Sequence, residues 1–443
     1  MSSSTIAALA TAPAAGALGI LRLSGPAALE VGRKLAPGIP AEPTPRHAYL
    51  AAFVDAEGRT LDEGLFLYFR APSSFTGEDV VELQAHGGPR LLQLLLSRVL
   101  EDERVRPAQP GEFTRRAFLL GRLDLTRAEA VADLVAADSE AAVRAAAAGL
   151  SGALSARVRA LEEPLRALHA DLEGVLNFPD EAEGADSDAQ ARVAALRAQA
   201  QVFLDEAGRG RLVRRGARVV LYGPVNAGKS TLFNRLVGEA RALVDDEPGT
   251  TRDVLEARVE WDGLSLTLLD TAGLRETPGR VEALGIARTR EALAAADLAV
   301  LVLPPDVTAS ETEAWTREAG ATSLLHVAGK CDVSASSNSQ EPAPLRVSGL
   351  TGEGVEALRT TVLSRLWGGG TPSAVALISE RHADALRRAC EALGRAEQAS
   401  RVSTLEVISG EVGLALEALG EVSGTHVSEA LLDAIFQRFC IGK

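Results

Sequence analysis

Hydrophobic positions change their period along the chain. Over residues 1–118, short apolar runs such as Gly19-Ile20-Leu21-Arg22-Leu23 and Gly64-Leu65-Phe66-Leu67-Tyr68-Phe69 read as strands, and one helical pattern falls near Arg90–Leu100. An α/β domain is expected there. The apolar stretch Met1–Leu21 has no basic residue before Arg22, so it fits a first strand better than a signal peptide. From Thr126 the pattern turns helical, with Thr126-Arg127-Ala128-Glu129 as the expected capping box. Leu150, Leu154, Val158, Leu161, Leu165, Leu168, Leu172 and Val175 recur at three- and four-residue steps, which puts one core-facing stripe along a long helix ended by Pro179. An acidic loop, Asp180–Asp188, then leads to a second helix with Val193, Leu196 and Phe203 inward.

After a basic turn, Arg209–Arg215, strands alternate with loops and helices. The strands are Arg218–Tyr222, Leu264–Leu269, Leu298–Leu303, Leu324–Ala328 and Leu345–Val347, the signature of a parallel sheet. Gly368-Gly369-Gly370 with Pro372 reads as a linker out of this domain. Beyond it Leu405, Ile408, Val412, Ala415, Leu419 and Val422 repeat the helical stripe, and a short helix follows around Leu431–Phe439. Helices thus flank the insert on both sides. The expected fold class is multidomain α/β plus α: an N-terminal α/β domain over 1–118, a discontinuous helical domain over 119–210 and 371–443, and an inserted doubly wound α/β domain over 211–370.

Composition narrows the class. A length of 443 residues suits about three domains at roughly 100–200 residues each. No run approaches the ~20 consecutive apolar residues of a membrane span, so no membrane association is expected. Cys331, Cys390 and Cys440 form neither a disulfide framework nor a zinc spacing, which fits a reducing, cytoplasmic setting. The net charge of −14 excludes a general nucleic-acid coat and leaves RNA contact to a local basic patch. Arginine carries almost all positive charge, since the only lysines are Lys34, Lys229, Lys330 and Lys443.

Three of those lysines fall in motifs. Gly223-Pro224-Val225-Asn226-Ala227-Gly228-Lys229-Ser230 is a phosphate-binding loop after a predicted strand and before the helical pattern Thr231–Val237. Its glycines let backbone amides wrap a β-phosphate, Lys229 adds a point charge, and Ser230 is suited to ligate Mg²⁺. Asp270-Thr271-Ala272-Gly273 closes a later strand, with the aspartate placed for the magnesium water shell and the glycine amide for a γ-phosphate. Guanine is indicated by Lys330-Cys331-Asp332, because the Asp332 carboxylate accepts from both donors on the guanine edge, a pair that adenine lacks. Ser348-Gly349-Leu350-Thr351-Gly352 suits the loop over the base. GTPases usually read Asn-Lys-x-Asp, whereas Gly329 stands in the asparagine position here; a looser hold with guanine selectivity kept is the expectation. Leu274 replaces the glutamine that orients water in Ras-like enzymes, so another group must do that work. Asp245-Asp246-Glu247-Pro248-Gly249-Thr250-Thr251-Arg252-Asp253 offers Thr251 as a second magnesium ligand and a run of carbonyls where a monovalent cation fits.

With these motifs the chain resembles the bacterial tRNA wobble-uridine modification GTPases of the MnmE (TrmE) type over nearly its whole length. The resemblance rests also on Thr5-Ile6-Ala7-Ala8, Gly19-Ile20-Leu21-Arg22, Phe75–Leu83, His86-Gly87-Gly88, Pro110-Gly111-Glu112-Phe113-Thr114, Arg116-Ala117-Phe118-Leu119, Asp124-Leu125, Gly249–Asp253, Asp270–Glu276 and the terminal Cys440-Ile441-Gly442-Lys443. It implies a homodimeric, K⁺-activated and Mg²⁺-dependent GTPase acting on tRNA with a flavin-dependent partner of the MnmG type, adding a carboxymethylaminomethyl-type group to wobble uridine. By resemblance K⁺ falls to Asn226 with Asp245, Glu247 and Thr250. The water-orienting glutamate falls on Glu282, which spacing alone does not distinguish from Glu276. A tetrahydrofolate derivative, in 5-formyl or methylene form, is implied at Arg22, Glu82, Arg122 and Lys443 of an N-terminal folate-binding and dimerisation domain. Departures from the family pattern occur at Ala14-Ala15, at Leu120 and at Arg122 in place of lysine. The family also invites a nucleophilic, modification-site role for Cys440, while its neighbours Phe439 and Ile441 suit a buried or site-lining thiol. Two other readings remain at this point: a ribosome-assembly GTPase that binds structured RNA, and a regulatory GTPase scaffold with a vestigial folate domain.

Overall fold

The computed structural model describes residues 4–178, 188–238, 241–242, 255–271, 288–320, 322–333, 344–367, 379–400 and 404–443. They form two compact units, one of residues 1–135, 149–200 and 385–443, the other of 136–148 and 201–384. Among the described residues no helix is long and apolar enough to cross a membrane.

The first unit begins with β1 (Thr5–Leu9), β2 (Gly16–Ser24), α1 (Ala28–Leu35), β3 (Ala48–Val54), β4 (Thr60–Phe69), β5 (Val80–Gly87), α2 (Pro89–Leu100), β6 (Val105–Pro107) and α3 (Glu112–Leu119). The sheet order is β3-β4-β5-β2-β1-β6, and only the β1–β6 pair is parallel. Strand alternation gives the sheet two unlike faces. Phe53, Phe66, Leu83 and Leu21 lie on the face that buries Val31 and Leu35 of α1 and Leu92 and Leu95 of α2. Leu50, Leu65, Gln84 and Ile20 are register partners in a row on the opposite face, where Leu50 and Leu65 are exposed.

Helices α4 (Leu125–Ala136), α5 (Glu140–Leu150), α6 (Ala153–Asn177) and α7 (Ala189–Arg215) follow. The cap of α4 is Asp124, not the predicted Thr126. Its Oδ1 accepts from the Arg127 amide at 2.9 Å, while the Thr126 hydroxyl is drawn to Asp124 and to Ser155 at 2.6 Å. The predicted single stripe is split, because Leu150 ends α5 and Gly152, at φ +90, starts α6. The expected turn at Arg209–Arg215 is helix instead. Helix α7 runs on through Arg214 and Arg215, whose charges suit its C-terminal dipole, and stops at Gly216 with φ +71.

The second unit carries β7 (Ala217–Tyr222), α8 (Lys229–Gly238), β8 (Arg241–Ala242), β9 (Leu255–Trp261), β10 (Leu264–Asp270), β11 (Leu298–Leu303), α9 (Ala309–Glu318), β12 (Leu324–Ala328), β13 (Leu345–Arg346) and α10 (Val355–Trp367). Its sheet order, β13-β12-β11-β7-β10-β9-β8, is parallel from β13 to β10, with β9 and β8 antiparallel at the edge. Neither β8 nor β9 was anticipated, since their charge-rich sequences lack an apolar run. The chain closes with α11 (Glu380–Ala399), which the apolar stripes did not single out, α12 (Leu405–Ser423) and α13 (Glu429–Phe436). Helix α12 lies antiparallel to α6 in the first unit: Ser423 Oγ donates to Glu162 at 2.9 Å and Ser409 Oγ to Glu173 at 2.6 Å. Pro179, the loop 180–187, the linker 368–370 and Pro372 lie outside the described residues.

Candidate functional site

In the second unit, three loops meet at the C-terminal ends of the parallel strands, where open α/β sheets bind ligands. The first is the turn from β7 into α8. Gly223 takes φ +137, Asn226 +63 and Gly228 +96, conformations that curl the backbone and aim successive amides inward. Helix α8 then starts at Lys229, so its N-terminal amides face the same concavity. Lys229 is buried, and its Nζ donates to the carbonyls of Gly223 at 3.1 Å and Pro224 at 2.7 Å, which holds the ammonium over the loop. Ala227 is buried, Ser230 half-buried and Thr231 exposed in the first turn of α8.

The second element is the end of β10. Asp270 pairs with Leu221 in the parallel ladder, just before the phosphate loop, and is fully buried. Thr271 is tied back to β7 by its amide and its hydroxyl, both donating to Leu221 O at 3.2 and 3.1 Å. A buried carboxylate at this strand end and a serine at the start of α8 are oxygen donors of the kind that Mg²⁺ and its water shell take. Ser230 and Asp270 therefore fit that ion.

The third element carries the base motif. Gly329 continues from β12 with its amide on Leu303 O at 2.8 Å, and Lys330 takes φ +54. Asp332 is exposed beyond it, free of the strand ladder. The Cys331 amide donates to Val347 O at 3.2 Å, linking this motif to the Ser348-Gly349 loop. Burial, with the nearby Glu353 carboxylate, pushes the Cys331 thiol up. Ser348 is fully buried and its Oγ accepts from the Thr351 amide at 3.1 Å. A Cβ on Gly349 would lie 2.7 Å from Leu232 N, so this loop rests directly on α8. Asn226, Ala227, Gly228, Lys229, Ser230, Thr231, Asp270, Thr271, Lys330, Asp332, Ser348 and Gly349 thus belong to loops gathered at one end of one sheet. Asp245, Asp246, Glu247, Pro248, Gly249, Thr250, Thr251, Ala272, Gly273 and Glu282 lie outside the described residues, as do Leu274 and Glu276.

A second cluster sits in the first unit. Arg22 and Glu82 are register partners across β2 and β5, and Arg22 Nε donates to Glu82 Oε1 at 2.8 Å. The guanidinium lies 5.6 Å from the Phe113 ring centroid and 5.9 Å from that of Phe75. Neither aromatic was picked out as a site residue, although Phe75 opens one of the quoted motifs and Phe113 lies within another. Arg122 reaches the same loop that carries Phe75, with Nε donating to Ser74 O at 3.2 Å. That loop is held by Glu78, whose Oε2 accepts from Ser24 Oγ and Arg116 Nη1, both at 2.8 Å.

The terminal tetrapeptide joins this cluster. Gly111 N donates to Cys440 O at 3.4 Å and Phe113 N to Lys443 O at 3.2 Å, while Arg22 Nη1 reaches Gly442 O at 3.3 Å. Arg22, Glu82 and the Lys443 backbone are therefore brought together, with Arg122 bonded to the neighbouring Ser74–Phe75 loop. The Cys440 side chain is exposed, so the thiol is not buried as its flanking residues suggested.

Residues 5–122 match the family model described as GTP-binding protein TrmE N-terminus, and residues 125–440 match that of the MnmE helical domain. The chain is 83% identical over 442 residues to the tRNA modification GTPase MnmE of Myxococcus xanthus (strain DK1622), covering 100% of this chain and 99% of that one. It is 45% identical to the tRNA modification GTPase MnmE of Alkalilimnicola ehrlichii (strain ATCC BAA-1101 / DSM 17681 / MLHE-1), over 100% of both chains. The protein of the same description in Synechococcus sp. (strain CC9605) is 43% identical, again over 100% of both.

Proposed function

The chain belongs to the MnmE family of tRNA modification GTPases, and from that premise we propose that it is a K⁺-activated GTPase acting on tRNA wobble uridine with a folate one-carbon unit. The convergence of Lys229, Ser230, Asp270 and Lys330–Asp332 on one sheet end carries this reading. Lys229 and the α8 amides bind phosphates, Ser230 and Thr251 would ligate Mg²⁺ with Asp270 placed for its water shell, and Asp332 reads guanine. Asn226, exposed at the tip of the loop, holds K⁺ with Asp245, Glu247 and Thr250, and Glu282 positions the attacking water. Membership in a family of tRNA modification GTPases favours this reading over a ribosome-assembly GTPase, and folate binding separates it from a regulatory scaffold.

The folate derivative is assigned to the Arg22–Glu82 cluster. A pterin offers N–H donors to the Glu82 carboxylate, Phe75 supplies a half-exposed aromatic surface, and Arg122 and Lys443 suit the anionic glutamyl tail. Folate would supply the one-carbon group; the residues of this chain bind and orient it. Leu50 and Leu65, paired and exposed on the sheet face away from α1 and α2, support a homodimer through the N-terminal domain. A flavin-dependent MnmG-type partner, a cytoplasmic location and the domain division at residues 118, 210 and 370 complete the proposal. In it, GTP hydrolysis drives domain closure, not the uridine chemistry itself.

The test is GTP hydrolysis by the whole protein in K⁺ against Na⁺, alongside Asn226→Ala. K⁺ stimulation that the variant loses supports the reading. Equal rates in both salts remove the cation from it.

A further inference from the structure

The glycine at position 329 departs from the Asn-Lys-x-Asp pattern, and its surroundings explain what the departure does. A Cβ on Gly329 would lie 2.5 Å from the carbonyl oxygen of Ala227 and 2.9 Å from Val302 Cγ1. No real Cβ tolerates the first approach, and the neighbour there is backbone of the phosphate loop, not the end of a flexible side chain. Val302 also faces the start of that loop, because a Cβ on Gly223 would fall 2.3 Å from Val302 O. The base motif and the phosphate loop are therefore seated on the same residue of β11 and on each other.

Neither side has room to retreat. Ala227 and Val302 are fully buried. Ala227 stands between two left-handed residues, Asn226 at φ +63 and Gly228 at φ +96, in a loop pinned by Lys229 to Gly223 O and Pro224 O. Gly329 is held from behind by its own amide bond to Leu303 O at 2.8 Å. The next residue, Lys330, keeps φ +54, and its Cγ would be 3.4 Å from a Cβ on Gly228.

We propose that Gly329 is a positioning residue: by lacking a side chain it lets the Lys330–Asp332 segment close directly on Ala227, so that the two loops hold guanine and phosphates at one fixed separation. In this chain a backbone contact does the work that a bridging asparagine side chain would otherwise do. Any side chain at 329 wedges the loops apart, and asparagine, despite matching the usual motif, is among those that harm. The looser hold expected from the missing amide is thus replaced by its opposite.

This inference rests on the nucleotide reading of Lys330 and Asp332, and the two fail separately. GDP affinity and steady-state GTP hydrolysis would be measured for the whole protein and for Gly329→Ala and Gly329→Asn, with thermal melts alongside. Overpacking against fixed backbone predicts a roughly tenfold loss of GDP affinity for the alanine variant and a larger one for asparagine. The loss should appear in KM, because misplaced loops weaken binding, whereas a damaged fold lowers kcat through the active fraction with KM unmoved. GDP binding by Gly329→Asn as tight as, or tighter than, that of the parent overturns the inference, as does a loss confined to kcat. Failure of the parent to bind GDP overturns the nucleotide reading instead.

Discussion

The guanidinium of Arg22 donates to the carbonyl of Gly442 at 3.3 Å, joining residues 420 positions apart in the chain. Gly442 takes φ +97, and a Cβ there would lie 2.2 Å from Leu9 O. The terminal segment therefore reaches Arg22 only because this position has no side chain.

Gly442→Ala should unseat the tetrapeptide. A left-handed alanine costs about 1–2 kcal/mol and the clash with Leu9 adds to it. The amides of Gly111 and Phe113, which donate to Cys440 O and Lys443 O, should then exchange hydrogen about tenfold faster or more. Unchanged protection at both amides would sink the idea that Gly442 seats the segment.

Asp332 is expected to set base selectivity through charge and hydrogen-bond sense alone. Its carboxylate only accepts, matching the two donors on the guanine edge. Asp332→Asn places an amide that also donates, so GTP affinity should fall roughly a hundredfold and xanthosine triphosphate, with a carbonyl at that edge, should become the better ligand. Competition binding with the two nucleotides checks this; a variant that still prefers GTP would count against the assignment of Asp332.

The parts legible in sequence were those fixed by local chemistry. Strand β11 is six consecutive buried apolar residues, Leu298–Leu303, and the glycine spacing of the phosphate loop states its own geometry. Less legible were features set by distant partners. Thr126 looked like a cap, but Ser155, 29 residues on, competes for its hydroxyl and leaves Asp124 as the cap. Helix α7 ran past its predicted end because Arg214 and Arg215 suit a last helical turn as well as a loop. In the site, Arg22 and Glu82 were named as members of one folate cluster, but that they pair directly needed the β2–β5 register. Gly329 read as a missing amide, and only the Ala227 carbonyl beside it gives the glycine a positive role.

Acid should loosen the first unit through Glu112. This carboxylate accepts from Arg106 Nη1 at 2.8 Å, the Gln109 amide at 2.9 Å and Arg116 Nη2 at 3.1 Å. Burial alone would raise its pKa, but the bonds from Arg106, Gln109 and Arg116 outweigh burial and hold it below the usual carboxylate range. A group whose pKa is lowered by folding stabilises the fold above its unfolded value, about 4.3, and that contribution fades as pH falls through the lowered folded value. Glu112→Gln keeps the shape and removes the charge. At pH 7 it should cost about 1–3 kcal/mol, because Arg106 and Arg116 lose a charged acceptor. On acidification below about pH 4 the parent and variant should converge, since the parent then protonates the same carboxylate. Thermal melts from pH 3 to pH 7 read this directly. A stability difference that stays constant across the range would mean that the Glu112 charge contributes nothing and that its substitution acts through packing alone.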